Sequence, residues 1–139
     1  MSTEANVALM RRIFDEISSA GTMTLLMGSL AEDVTWKLAG TSKLPFSGSY
    51  HGIEGVKRYW ELVDKWLHIE QLAIQHYLAQ DDRVVVVGDE TVRIVPTGET
   101  YQQEWTGMFT LRDGKIVHIL IMEDLADVAL AMHRKMGAP

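Results

Sequence analysis

The sequence contains no cysteine among its 139 residues. This absence excludes disulfides, thiolate metal sites and a cysteine nucleophile, and it fits a reducing compartment. No apolar run approaches the roughly 20 residues that a membrane span needs. Residues 1–6 also lack the charged-then-apolar pattern of a secretory signal. We therefore expect a cytoplasmic protein without a membrane partner.

Basic residues are few, with 13 Lys and Arg against 19 Asp and Glu and a net charge of −6. A nucleic-acid partner is not expected, because such binding needs clustered positive charge. The histidines are scattered and show no ligand spacing, which argues against a metal site; they are His51, His68, His76, His118 and His133. No phosphate-cradling loop or nucleophile elbow is found, so we expect no cofactor.

Long β-rich runs dominate the second half of the chain. Residues 82–95, 100–111 and 116–122 read as strands. The first two are joined by a turn at Pro96 to Glu99, and the last two by a turn containing Asp113 and Gly114. Consecutive strands joined by hairpins are antiparallel.

Helical and shorter β patterns precede this meander. Amphipathic or apolar periodicity predicts helices over residues 4–20, 22–30 and 53–67, and alternation predicts strands over 32–38 and 68–80. Residues 39–52 read as a loop with a short strand, and a last helix is expected to begin near Asp124. This order predicts one α+β domain over residues 1–139, with 47% apolar residues to fill its core. We expect a cone formed by a curved, mainly antiparallel sheet, with three helices from the N-terminal half on its concave face.

Three stretches resemble the SnoaL-like side of the nuclear transport factor two-like superfamily: LAEDVTW at 30–36, FSGSYHG at 46–52 and MFTLRDGKI at 108–116. The resemblance implies a conical α+β fold with a deep apolar pocket, often a homodimer packed through the sheet. It leaves the activity open, since the superfamily includes isomerases, cyclases, epoxide hydrolases, dehydratases and non-catalytic binders.

Two catalytic patterns of the superfamily do not carry over to this sequence. Limonene epoxide hydrolases use an arginine flanked by two aspartates, and the matching positions here are Gly88, Glu90 and Ile121. Ketosteroid isomerases need an Asp base, where this chain reads Trp36-Lys37-Leu38. Proton transfer beside a carbonyl, as in SnoaL-like cyclases, would require Glu90 or Glu123.

Glu90 interrupts a valine-rich strand on the face that the resemblance and the alternation both place inward. A buried carboxyl has a raised pKa, as a general acid or base near neutral pH requires. The alternatives are a bulge near Gly88 that turns Glu90 outward, or an ion pair with Arg93. Glu123, the second candidate, could instead cap a strand end or form a salt bridge there.

Amide and aromatic side chains of the same face complete the candidate site. Gln103 could orient Glu90 across the hairpin or meet a ligand directly. The aromatic candidates for walls of a ligand pocket are Trp36, Trp60, Tyr101 and Trp105, and ordinary core packing is the alternative. The leading hypothesis is a cofactor-independent isomerase, cyclase or dehydratase acting on an apolar, carbonyl-bearing small molecule. The second hypothesis is a non-catalytic ligand-binding or dimeric assembly domain of the same fold.

Overall fold

Four helices and six strands follow one another in the part of the chain described by the computed structural model, residues 2–39 and 44–135. They are α1 (Thr3–Ala20), α2 (Thr24–Gly28), β1 (Leu30–Leu38), β2 (Gly48–His51), α3 (Gly52–Trp66), β3 (Leu67–Gln80), β4 (Arg83–Ile94), β5 (Thr100–Arg112), β6 (Lys115–Glu123) and α4 (Ala126–Lys135). The predicted elements are all present, and their boundaries differ from the predicted ones by at most two residues. None of the described helices is both long enough and apolar enough to cross a membrane.

The strands form one curved, open sheet in the order β2-β1-β6-β5-β4-β3. The meander from β3 to β6 is antiparallel, whereas β1 lies parallel to β6 and so makes the sheet mixed. This confirms the predicted α+β class and the helices packed on the sheet. The single domain predicted over 1–139 stays a prediction, and residues 40–43 of the predicted loop lie outside the described part.

Helix α1 begins one residue before the predicted Glu4 and ends at Ala20 as predicted. The Ser2 hydroxyl accepts a hydrogen bond from the Ala5 N–H at 3.0 Å, and Gly21 closes the helix in the left-handed conformation with φ 71°. Between these caps, Met10, Ile13 and Phe14 are buried. Phe14 packs edge-on against the Trp105 ring with centroids 5.4 Å apart, which holds α1 on the concave face of the sheet.

Two glycines shape the inner face of the sheet. At Gly88 a Cβ atom would lie 2.3 Å from the Ala73 carbonyl oxygen, where β3 carries a bulge between Ile74 and His76. At Gly107 a Cβ atom would lie 2.8 Å from both the Phe109 and the Trp105 rings. Glycine therefore lets β3 press against β4, and it leaves room for two aromatic rings on β5.

Alternate residues along the strands of the meander face the helices, as predicted. Val84, Val86 and Val92 on β4 are buried, and Trp105 and Phe109 on β5 face the same side. Glu90 lies in this apolar row, and its side chain is only 6% exposed. The fold therefore brings a carboxyl group into the main core, where burial of the charged form costs free energy.

Candidate functional site

Two carboxyl groups meet on the inner face of the sheet. Glu90 comes from β4 and Glu123 from the end of β6, with β5 between them. Glu90 lies close enough to Glu123 for its charge and its hydrogen-bonding oxygens to act on the Glu123 carboxyl group. Two carboxylates at close range repel each other, so this arrangement favours one proton on the pair.

Gln103 on β5 bridges the two acids. It stands directly opposite Glu90 in the strand register. Its Nε2 amide donates to Glu90 Oε1 at 2.5 Å and to Glu123 Oε2 at 3.0 Å. Both amide protons are thus used, whereas the buried Oε1 atom of Gln103 has no hydrogen-bond partner among the described residues. The amide fixes the separation and orientation of the two carboxyl groups.

Glu123 holds its proton more strongly than an ordinary glutamic acid does. Burial, then the hydrogen bond and the negative charge of Glu90, raise the pKa of Glu123 well above its ordinary value. The hydrogen bond from Gln103 acts in the opposite direction because it favours the carboxylate. Among the described residues, neither acid forms an ion pair with a Lys, Arg or His. The site therefore holds, beside Glu90, a carboxyl group whose pKa is raised and which has no cation partner among the described residues.

Aromatic rings from β1 and α3 form a wall near this pair. The Trp36 ring lies 5.0 Å from Tyr59 and 5.5 Å from Trp60, measured between ring centroids, and Tyr59 lies 5.2 Å from Trp60. Burial and then the charge of Glu123 raise the pKa of Tyr59 well above its ordinary value; the Trp36 indole lowers it and the charge of Glu90 raises it. The phenol thus stays neutral and lies within electrostatic range of both acids.

These side chains surround a cavity between the sheet and the helices. The centre of a water-sized sphere can move through about 60 Å³ of it. Since roughly 10–15 Å³ is enough to hold one water, the cavity has room for a small guest. The lining is apolar and aromatic apart from the two acids; it includes Phe14, Met23, Leu26, Trp36, Tyr59, Trp60, Val92, Trp105, Phe109, Ile121, Glu90 and Glu123.

The structure brings most of the predicted site residues together. Glu90, Glu123, Trp36, Trp60 and Trp105 line the cavity, and Gln103 contacts both acids. Tyr101 lies apart from them, in a surface recess shared with Leu130 and Arg134 of α4. Five of the seven predicted residues thus line the cavity, Gln103 contacts the acids without lining it, and Tyr101 lies two residues before Gln103 on β5 in a separate recess.

The alternatives considered for the acids do not occur in the described structure. Glu90 points inward, and Arg93 pairs instead with Glu70 at 2.9 Å. The cap at the start of the last helix comes from Asp124, whose Oδ1 accepts from the Ala126 N–H at 2.9 Å, and not from Glu123. Sequence reasoning missed the contact between Glu90 and Glu123 and the position of Tyr59. The alternation on β6 was the available signal, since it placed Glu123 on the inner face.

Metal binding finds no support in the described part of the chain. No group of three or more His, Asp or Glu side chains is arranged there so that it could hold a metal ion. The two acids of the cavity have an amide and indoles as polar neighbours, and neither group is a favoured metal ligand.

An open conical sheet with helices on its concave face and a cavity within is the architecture of the nuclear transport factor two-like proteins. A model of the SnoaL-like domain matches residues 10–119 of the sequence, and the chain belongs to this family. No match was found among the curated proteins.

Solved structures agree with this assignment. An NTF2-like protein from Burkholderia xenovorans is 27% identical, with 97% of this chain and 98% of that chain covered and a TM-score of 0.75. An NTF2-like protein of unknown function from Burkholderia pseudomallei is 22% identical over 99% and 100% of the two chains, with a TM-score of 0.80. TerC, co-crystallised with polyporic acid, is 23% identical over 96% and 99%, with a TM-score of 0.76.

Proposed function

We propose that the chain is an enzyme that binds a small apolar carbonyl compound in the central cavity and moves a proton on it without a cofactor. The observation that carries this proposal is the pair of Glu90, which is buried, and Glu123, which is half-buried: one amide, that of Gln103, bridges them, and neither has a cation partner among the described residues. A purely structural buried acid is normally neutralised by a cation. Perturbed acids in a cleft are candidates for acid–base chemistry.

The proton-transfer step uses both acids. The Glu90 carboxylate accepts a proton from the carbon next to the substrate carbonyl, and the C–H electron pair becomes the C=C bond of an enol. The carbonyl oxygen takes the proton of Glu123. Return of a proton from Glu90 to the same or a neighbouring carbon, and of the enol proton to Glu123, regenerates the pair. The step needs no other reactant and supports isomerisation, cyclisation or dehydration of a suitable substrate.

The other cavity residues have supporting roles in this proposal. Gln103 holds the two carboxyl groups in reach of one substrate, as its two hydrogen bonds indicate. Trp36, Trp60 and Trp105 supply flat apolar walls. The bound compound of TerC is consistent with small-molecule binding in this fold, although the likeness to that protein concerns the fold alone.

Hydrogen–deuterium exchange provides a test that does not require the natural substrate. 2-Indanone is a small flat ketone whose hydrogens next to the carbonyl are replaced by deuterium when an enol forms. We expect the wild-type chain to accelerate this exchange in D2O, as followed by proton NMR, and Glu90→Gln to lower the acceleration by about 100- to 10,000-fold. Glu90→Gln keeps an acceptor for the Gln103 amide, so the fold should survive.

Glu104→Gln is the matched control. Glu104 lies on β5 next to Gln103, but its side chain is exposed on the other face of the sheet. This variant should exchange 2-indanone at the wild-type rate. If Glu90→Gln binds 2-indanone and still exchanges it as fast as the wild-type chain, Glu90 is not the base and the proposal fails.

A second candidate function, that of a dimeric assembly domain, is supported by the outer face of the sheet. One row of apolar side chains crosses four strands there in register: Leu78, Val85, Met108 and Leu120. Leu78 is 60% exposed, and the other three are partly buried in the single chain. An exposed apolar row of this kind suits a homodimer packed sheet to sheet.

Light scattering tests the homodimer. We expect twice the mass of one chain for the wild type and the mass of one chain for Met108→Lys, because a buried lysine opposes sheet packing. A monomeric wild-type chain at micromolar concentration would remove this candidate. A dimer that binds 2-indanone but never exchanges it would favour the non-catalytic alternative.

A further inference from the structure

Two indole N–H groups in the cavity have no acceptor. The Nε1 atoms of Trp36 and Trp60 are buried and make no hydrogen bond with any described residue. Trp36 is only 3% exposed as a whole. Buried donors are nearly always hydrogen-bonded in folded proteins, because an unsatisfied one costs free energy. Two such donors in one cavity indicate that something outside the protein satisfies them.

The two donors belong to one corner of the cavity. The indole rings meet edge to face, with centroids 5.5 Å apart and planes at 77°. The Trp36 indole lies close enough to the Tyr59 hydroxyl to lower the pKa of that phenol, yet it does not reach hydrogen-bond geometry with it. An acceptor atom bound at this corner would therefore lie beside both indole rings and the Tyr59 phenol.

The charge of the lining restricts what can bring that acceptor. The described residues that line the cavity include Glu90 and Glu123 but no Lys, Arg or His. An anionic ligand would bury a second negative charge beside Glu90 without a counter-charge, which is costly. A neutral acceptor, such as a ketone oxygen, can accept the indole hydrogens at no such cost. Water can fill the corner in the free protein, and a ligand oxygen that reproduces its hydrogen bonds displaces it without loss.

We propose that Trp36 and Trp60 recognise the ligand through their indole N–H groups and make the cavity specific for neutral compounds that carry a carbonyl acceptor. The inference rests on the proposed function in one respect, that the cavity is the ligand site. It assigns the two tryptophans a role in specificity beyond the flat apolar wall.

A matched pair of ligands tests the role of the N–H groups. Indane and 2-indanone have nearly the same shape, and only 2-indanone has an acceptor. We expect the wild-type chain to bind 2-indanone about tenfold or more tightly than indane. Trp36→Phe and Trp60→Phe keep an aromatic ring but lose the N–H, so each should reduce this ratio by about tenfold. Indane-2-carboxylate, the anion, should bind more weakly than indane.

Two further tryptophans serve as controls for the loss of ring size. Trp105 lines the cavity, but its Nε1 is not among the buried atoms left without a partner, and Trp66 at the end of α3 does not line it. Trp105→Phe should weaken both ligands by a similar factor and preserve the ratio. Trp66→Phe should change neither affinity.

Proton–nitrogen NMR spectra of the wild-type chain add a readout that needs no variant. The indole N–H resonances of Trp36 and Trp60 should move downfield with 2-indanone and not with indane. Equal affinities for the two ligands, an unchanged ratio in both Phe variants, or no binding of 2-indanone up to its solubility limit would each overturn the inference. Retained discrimination without deuterium exchange would instead refute the acid–base proposal and leave the role of the tryptophans standing.

Discussion

The acidic residues on the protein surface and those on the inner face of the sheet have different kinds of partner. On the surface, Arg112 pairs with Asp33 at 3.1 Å, Arg134 with Glu99 at 3.0 Å and Arg93 with Glu70 at 2.9 Å. Inside, the partners are a second carboxyl group and an amide. The surface ion pairs add little to the stability of the fold, because water screens the attraction between their charges. In the inner pair, burial and the neighbouring Glu90 instead raise the pKa of Glu123, so that this carboxyl group keeps its proton to a higher pH.

This difference is clearest on β4, where Glu90 and Arg93 are three residues apart. The side chains of successive residues alternate between faces, so two residues three apart lie on opposite faces. An arginine at an even spacing would have faced Glu90 and neutralised it. Because the spacing is odd, Arg93 lies on the outer face and pairs with Glu70, whereas Glu90 lies on the inner face beside Gln103 and Glu123. The strand thus separates a surface ion pair from a pair of carboxyl groups on the inner face by register alone.

Removing the bridging amide should produce the largest change in stability. Gln103→Leu deletes two hydrogen bonds to carboxyl groups and leaves Glu90 without its donor. We expect a loss of about 2–3 kcal/mol in the free energy of unfolding, as measured by urea denaturation. Gln102→Leu, on the exposed face of the same strand, should stay within about 0.5 kcal/mol of the wild type. Equal effects of the two variants would mean that the amide does not hold the pair.

The raised pKa of Glu123 predicts how stability depends on pH. Because the folded-state pKa lies above the unfolded value of about 4.3, the folded chain retains a proton that the unfolded chain loses. As the pH rises from the unfolded pKa to the raised folded pKa, Glu123 therefore lowers the free energy of unfolding of the wild type by up to about 1.4 kcal/mol per pH unit. At lower pH the penalty is absent.

Glu123→Gln removes this titration while keeping a neutral side chain of the same size. Its stability relative to the wild type should increase as the pH rises through that window, as measured by urea unfolding at several pH values between 4 and 9. A difference between the two proteins that stays constant with pH would show that Glu123 titrates normally. That result would contradict the proposal that Glu123 is the acid that donates a proton to the substrate.

The alternation along β4, β5 and β6 was sufficient to predict the inner face and its polar members. Glu90 and Gln103 could be placed opposite each other because a hairpin joins their strands. The contact with Glu123 depends on the register between β5 and β6, which includes a shift near Thr110 that local sequence does not reveal. The parallel pairing of β1 with β6, which brings Trp36 into the cavity, joins residues more than 80 positions apart. Such long-range pairing is set by the whole fold and not by local pattern.

Breaking a surface pair should have the smallest effect. Arg93→Ala removes the ion pair with Glu70, in which both side chains are about 40% exposed. We expect a loss below about 1 kcal/mol in the free energy of unfolding, and a smaller loss in high salt, because exposed pairs are screened. Deuterium exchange of 2-indanone should stay at the wild-type rate, since the guanidinium lies on the other face of β4 from Glu90. A large fall in exchange would instead mean that Arg93 influences Glu90 through the sheet, and the two faces would then not be independent.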